Sequence, residues 1–333
     1  SFSVIAIGDM AGDVFGNGML LSRKIKLVAA FNHRHIFIDP NPNEEKSFEE
    51  RERLFNLSQS SWEDYKSSLI SEGGGIYARE LKSITITPQM AKILSISAKK
   101  LSPNELIHQL LKAPVDLIWN GGIGTYVKSS QEEHLKVGDK ANDVLRVNGQ
   151  DLQCRVFGEG GNLGVTQLGR IEAALQGVRF NTDFIDNAAG VDCSDHEVNI
   201  KILLAELIQH GRLDKADRNE LLETMTDEVS ALVLANNADQ VRVLGLAQRE
   251  SFRRLGEYRR LIARLEQGPL DRALEFLPDD ETLQQRSLNG IGLTRPELAV
   301  LMCYTKAELK ETLADLPLAS TEYALKEAYT AFP

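Results

Sequence analysis

Cysteine is scarce: three residues, Cys154, Cys193 and Cys303, lie far apart and are odd in number. A disulfide framework or a zinc site needs paired, closely spaced ligands, so neither is expected. Each cysteine reads as a small apolar residue, and a reducing, cytoplasmic setting fits. Long apolar runs are missing as well; none approaches the roughly 20 residues that span a bilayer. The N-terminal run FSVIAI is short and lacks the basic leader of a signal peptide. Basic residues are the minority, 38 Lys and Arg against 48 Asp and Glu, for a formal net charge of −10. That balance disfavours a nucleic-acid or anionic-membrane surface. No repeat or low-complexity segment occurs. The first residue is Ser1, not an initiator Met, and a core-like strand follows at once. The expectation is a piece from the middle of a longer protein.

What is present is an ordinary globular composition, 42% hydrophobic and 26% charged over 333 residues, long enough for two domains. The opening run FSVIAI ends in glycines, as a buried parallel strand does. Helical pattern continues over residues 19–25, followed by KLVAAF at 26–31: strand, turn, helix, strand within about 30 residues. A further short strand, IFID at 36–39, stops at Asp39-Pro40-Asn41-Pro42. Residues 43–112 are more polar and read as a mainly helical insertion. It has helices near 47–57, 61–71 and 103–112, the last capped by Ser102, and a brief alternation at 84–87. Strands followed by Gly/Asn turns then recur: 115–119 before Asn120-Gly-Gly-Ile-Gly124, 154–157 before Gly158-Glu-Gly-Gly-Asn162, and 184–185 before Asp186-Asn-Ala-Ala-Gly-Val191. In an open parallel sheet, ligands sit at such carboxyl ends. From about Asp195 onward only helical patterns remain, at 199–210, 217–235, 242–267, 270–276 and 294–316. The fold expected is α/β, a Rossmann-like doubly wound, mostly parallel sheet over residues 1–200, followed by an all-helical region over 201–333.

The first turn reads Gly8-Asp-Met-Ala-Gly12-Asp-Val-Phe-Gly16-Asn-Gly18. Glycines let the backbone approach a pyrophosphate, and the following helix aims free N–H groups at it. The Gly-x3-Gly-x3-Gly spacing is looser than G-x-G-x-x-G, and a tight βα turn with no ligand is the competing reading. Asp9 and Asp13 would repel a phosphate unless they cap the helix or point away. At the end of the second strand, where an acidic residue normally holds ribose hydroxyls, stands Asn32. It can still hydrogen-bond a ribose, whereas Arg34 would suit a 2′-phosphate; NAD is favoured over NADP.

Three runs, GDMAGDVFGNGMLLS, VFGEGGNLGVTQLGRIE and NTDFIDNAAGVDCSDHEVNIKILL, resemble the large NAD-specific glutamate dehydrogenases of bacteria. These are very long chains, and the likeness covers essentially the whole sequence. The smaller glutamate dehydrogenases are similar too. Their E-G-A-N motif matches Glu159-Gly160-Gly161-Asn162, and their N-A-G-G-V motif matches Asn187-Ala188-Ala189-Gly190-Val191, departing at Ala189. Residues 32–40 (NHRHIFIDP) are similar to their post-strand loop. The resemblance implies that Asn187 lies near the nicotinamide amide and Ser194 near the substrate's distal carboxylate. On their own chemistry, Asn120, Asn162 and Asn187 can read a carboxamide or serve as ordinary turn residues. Glu159 can bind the cofactor or satisfy backbone amides, and Ser194 can cap a helix. His196 reads as structural.

The cofactor-binding residues expected are therefore Gly8, Asp9, Met10, Gly12, Asp13, Val14, Gly16, Asn32, Asn120, Gly121, Gly122, Glu159, Gly160, Asn162 and Asn187, with Ser194 at the substrate and no metal. The resemblance implies NAD-dependent oxidative deamination of L-glutamate to 2-oxoglutarate and ammonia, with a homo-oligomeric full-length protein. In that family catalysis falls to lysines in Gly-rich motifs and an Asp, all in a substrate domain ahead of the cofactor domain. Nothing here matches them; Lys26, Lys128 and Lys201 lie in the wrong context. No catalytic residue is expected in this chain, which should bind the dinucleotide without turning over glutamate. The alternatives are the cofactor domain of a leucine- or valine-type dehydrogenase, and a non-catalytic nucleotide-sensing module.

Overall fold

The computed structural model describes residues 1–318 and 321–333. They divide into two compact units, Ser1–Asp183 with Thr294–Pro296, and Phe184–Leu293 with Glu297–Pro333. Residue 200 falls inside a helix of the second unit.

The first unit is mixed α/β. In chain order it contains β1 (Phe2–Ile7), α1 (Asp13–Leu20), β2 (Ile25–Phe31), β3 (His35–Ile38), α2 (Glu44–Asn56), β4 (Gly75–Ala78) and β5 (Ile84–Thr85). These are followed by α3 (Pro88–Leu94), β6 (Lys100–Leu101), α4 (Pro103–Leu111), β7 (Leu117–Asn120), β8 (Val127–Lys128), α5 (His134–Val137), β9 (Val147–Asn148), β10 (Val156–Glu159) and α6 (Gln167–Leu175). Six strands form one sheet in the order β10-β7-β1-β2-β3-β4. β10, β7, β1 and β2 are parallel; β3 alone runs against its neighbours.

The unbroken apolar strands follow from burial on both faces. Along β1, Val4 and Ala6 join Phe15 and Met19 of α1 and Leu54 of α2 in one core. Ile5 and Ile7 point the other way, to Met90 of α3 and Leu106, Ile107 and Leu110 of α4. The side-chain period of two divides a single apolar run between two helix layers. Ser102 caps α4 as expected: its hydroxyl accepts from the Glu105 amide, while Glu105 returns the bond to the Ser102 amide.

The region 43–112 is less helical than expected. It supplies β4 to the main sheet and the β5–β6 pair. Residues 61–71 form two single 3-10 turns instead of a helix: the Ser61–Asp64 capping box closes after one turn, and Tyr65 then leaves for the core.

The second unit holds α7 (Asp183–Asp186, whose first residue belongs to the first unit), α8 (Ala189–Gln209), α9 (Lys215–Thr224), α10 (Thr226–Glu250), α11 (Leu255–Leu265), α12 (Asp280–Leu288), α13 (Arg295–Ala314, whose first two residues belong to the first unit) and α14 (Glu322–Ala331). No strand occurs among its described residues. Residues 184–185, expected as a strand, are helical in α7. No strand lies beside them to pair with among the described residues, and Ile185 is drawn into a helical core with Leu244, Leu255 and Ile262. Residues 270–276 form a turn closed by the Asp271 carboxylate on the amides of Ala273 and Leu274. His196 is structural, its ring nitrogens bonded to the carbonyls of Asp192 and Ala331. Among the described residues no helix is long and apolar enough to cross a membrane.

Candidate dinucleotide site

β1 and β7 are adjacent and parallel, yet the chain leaves β1 for β2 on one side and returns to β7 on the other. The chain therefore departs in opposite directions at the carboxyl edge of this strand pair, the usual ligand position in such sheets and the candidate crevice. Register aligns Ile7, Asn120 and Glu159 across this edge. Backbone bonds extend the ladder past the strands: Gly8 N to Phe31 O at 2.7 Å, Gly121 N to Ile7 O at 3.0 Å and Gly161 N to Asn120 O at 2.9 Å. Gly8, residues 120–122 and residues 159–161, separated by more than 150 positions in sequence, thus come together.

Most glycines here are required by the protein itself. Gly8 has φ +130° and a Cβ on it would stand 2.7 Å from the Phe15 ring. At Gly16 a Cβ would collide with the Phe55 ring, at Gly121 it would stand 2.8 Å from the Phe15 Cα, and at Gly160 2.6 Å from the Val14 Cγ1. Trp119 fills the space beside Gly18, Gly121, Gly158 and Gly160. Gly12 differs: its φ of −84° and ψ of 127° suit any residue, and a Cβ would make only ordinary contacts, 3.5 Å to Asp9 O and 4.0 Å to Phe15 Cβ. Gly12 is also the N-cap of α1 and offers no side-chain acceptor to the first-turn amides. The one position of the turn at which packing does not demand glycine and the uncapped helix end coincide.

Of the two aspartates of the turn, Asp9 is tied down within the protein. Asp9 Oδ1 accepts from the Ala11 amide and Oδ2 from Asn32 Nδ2 at 2.8 Å. Asn32 Oδ1 in turn accepts from the amides of Arg34 and His35, closing the β2–β3 turn. Asp13 is exposed in the first turn of α1, beside Val14. Met10 is buried in the core. Arg34 is exposed.

Asn120 is fully buried, its Oδ1 3.4 Å from the Gly122 amide and its Nδ2 without a hydrogen-bond partner. It packs against Gly164, where any side chain would collide with it. Glu159 is also fully buried, and Arg170 of α6 grips it with two parallel bonds of 2.7 and 2.8 Å. Arg170 reaches Asp183 at 3.2 Å. Burial works against the Arg170 cation, but Glu159 and Asp183 outweigh it and hold its pKa above the ordinary value. Asn162 is exposed in the loop after β10. Asn187 lies between α7 and α8 in the second unit. Ser194, expected at the substrate or as a cap, lies inside α8, exposed, with its hydroxyl on the Gly190 carbonyl at 3.1 Å.

Sequence reasoning missed four contributors. Trp62 Nε1 donates to Gly8 O at 3.0 Å and holds the turn from the 43–112 region. Thr125, Arg170 and Asp183 fix the loop after β10. Arg170 stands in the same motif run as Glu159, but nothing in spacing reveals that the two pair. Three concavities of about 580, 590 and 680 Å³ lie elsewhere, lined by residues such as Arg23 and Lys26, Phe2 and Val156, and Ser3 and Val28. None is lined by the crevice residues.

The sequence model for the family "Bacterial NAD-glutamate dehydrogenase, catalytic domain" matches residues 1–247, and that for "Glutamate dehydrogenase, C-terminal" matches residues 290–333. The NAD-specific glutamate dehydrogenases of Pseudomonas aeruginosa and Halomonas elongata are each 62% identical to this chain, over 100% and 95% of it but 21% and 20% of their own lengths. That of Mycobacterium tuberculosis is 51% identical over the whole chain and 21% of its own length. The chain spans about a fifth of the length of these curated relatives.

Proposed function

Because the chain belongs to the family of bacterial NAD-glutamate dehydrogenases, we propose that its first unit holds NAD at the carboxyl edge of a Rossmann-like sheet. The whole protein's reaction is then oxidative deamination of L-glutamate to 2-oxoglutarate and ammonia. The observation that carries this reading is the amino end of α1, uncapped and beside the one glycine of the turn that internal packing does not require. A pyrophosphate there receives free amides and the positive end of the helix dipole. Bound NAD would supply the hydride acceptor. Asp9 and Asn32 stand together at the end of β2, where an adenosine ribose is held in this class of site. The Asp9 carboxylate favours a ribose hydroxyl over a 2′-phosphate, hence NAD over NADP.

The catalytic lysines belong to the reading only by their separation from this chain. Lys26 pairs with Glu44 at 3.7 Å, Lys128 is buried on Ser129 O and Asn148 Oδ1 at 3.0 and 2.7 Å, and Lys201 pairs with Glu197. None of the three is left to hold a substrate carboxylate. A cytoplasmic, homo-oligomeric whole protein completes the proposal.

Titration with NADH and NADPH, followed by nicotinamide fluorescence, tests it. NADH should bind, NADPH more weakly, and added glutamate with NAD should yield no NADH. An absence of NADH binding at millimolar concentration refutes the cofactor assignment; glutamate-dependent NADH formation refutes the separation of binding from catalysis.

A further inference from the structure

Leu163 adopts a backbone conformation that its own packing does not explain. Its φ is +59°, a region in which an L side chain crowds the neighbouring carbonyl. The side chain is nevertheless 71% exposed, so little apolar burial offsets the strain. Glycine would take the same conformation freely. The strain is fixed from both sides. The Leu163 amide donates to Asp183 Oδ2 at 2.8 Å, and its carbonyl accepts from Thr125 Oγ1 at 2.6 Å. Asp183 is held by Arg170, and Arg170 by the fully buried Glu159. Strain maintained by an over-determined surrounding is a mark of ligand sites.

Its place narrows the ligand. Leu163 lies in the loop after β10, facing the loop after β7: a Cβ on Gly161 would stand 2.6 Å from Gly122 O. Ile123 of that facing loop is 96% exposed. Both loops leave the sheet on the side of β1 away from β2. In a crevice of this kind the adenosine lies toward β2, so the other half of the dinucleotide lies toward β7 and β10.

We infer that Leu163, with Ile123 on the facing loop, forms an apolar seat for the nicotinamide ring, and that Glu159, Arg170 and Asp183 are positioning residues that hold it there. The inference rests on the reading that this crevice takes NAD. An uncharged reduced nicotinamide presents an apolar face that a leucine side chain covers well.

The test compares NADH with ADP-ribose, which lacks the nicotinamide, on the same chain. Leu163→Ala should weaken NADH about tenfold and leave ADP-ribose binding and the melting temperature unchanged. Asp183→Ala should lower the ratio of NADH to ADP-ribose affinity in the same sense. Asp183→Asn, which keeps an oxygen for the Leu163 amide, should restore most of it. An unchanged ratio in Leu163→Ala overturns the seat; an unchanged ratio in Asp183→Ala overturns the positioning role. A wild-type chain that binds neither probe overturns the NAD reading itself, whereas one that binds both isolates any failure to this inference.

Discussion

The glycines at positions 12 and 16 look alike in the sequence, and the structure gives them opposite reasons. A Cβ at residue 12 would sit 3.5 Å from Asp9 O and 4.0 Å from Phe15 Cβ, on a backbone that any residue adopts. Replacing this N-cap glycine with an apolar residue should cost about 1 kcal/mol or less of stability. A Cβ at residue 16 would collide with the Phe55 ring and stand 2.8 Å from Met10 O. α1 and α2 would have to separate. Overpacking of that kind costs about 1–3 kcal/mol, and the better helix propensity of alanine offsets only about 1 kcal/mol. Gly12→Val should therefore melt close to wild type yet bind NADH at least about tenfold more weakly, a difference of about 1.4 kcal/mol. Gly16→Ala should lose a net of about 0–2 kcal/mol and melt up to several degrees lower, at about 2–4 °C per kcal/mol for a unit of this size. Thermal denaturation followed by circular dichroism, beside NADH fluorescence titration, separates the two. If Gly12→Val binds NADH like wild type, or melts as low as Gly16→Ala, the division of these glycines into ligand-facing and packing-required is wrong.

Two further perturbations probe what surrounds the crevice. Trp62→Phe removes the fully buried indole's bond to Gly8 O and should cost about 1–3 kcal/mol in urea unfolding, with weaker NADH binding as the turn loosens; an unchanged unfolding midpoint would deny Trp62 its hold on the turn. Burial raises the Asp39 carboxyl above its ordinary 3.8, against bonds from Ser71 that lower it. A carboxyl raised on folding is most favourable while protonated, so its contribution declines as pH rises above 3.8 and through the folded value. Asp39→Asn keeps an oxygen for the Ser71 amide and hydroxyl, and its melting temperature relative to wild type should be higher at pH 7 than at pH 4; equal differences at the two pH values would remove Asp39 from the pH dependence.

The strands and the βα turn were legible because strict local rules govern them. An unbroken apolar run such as FSVIAI, ended by glycine, reads as a strand covered on both faces, and Ser102 reads as a helix cap. Residues 184–191 misled for a local reason as well. An apolar pair before Asn and Gly looks like a strand and its turn, but without a neighbour to extend a ladder it became α7 and the first turn of α8. In the sequence the proposed cofactor site rests chiefly on the Gly/Asn turns, residue types that recur where backbone meets a ligand.

By itself, the amino-acid sequence determined that there is a glycine-punctuated α/β region followed by helices, and the family that such turns resemble. Only the tertiary structure decided what each glycine is for, because that depends on Phe15, Phe55 and Trp119 arriving from other elements. It also decided that Asp9 turns to Asn32 rather than to the helix end, and that Glu159 is gripped by Arg170. The same holds for the exposed, strained Leu163. The physical reason is common to all of these: a φ angle, a buried ion pair and a vacant Cβ direction are relations between distant residues, and sequence spacing records none of them.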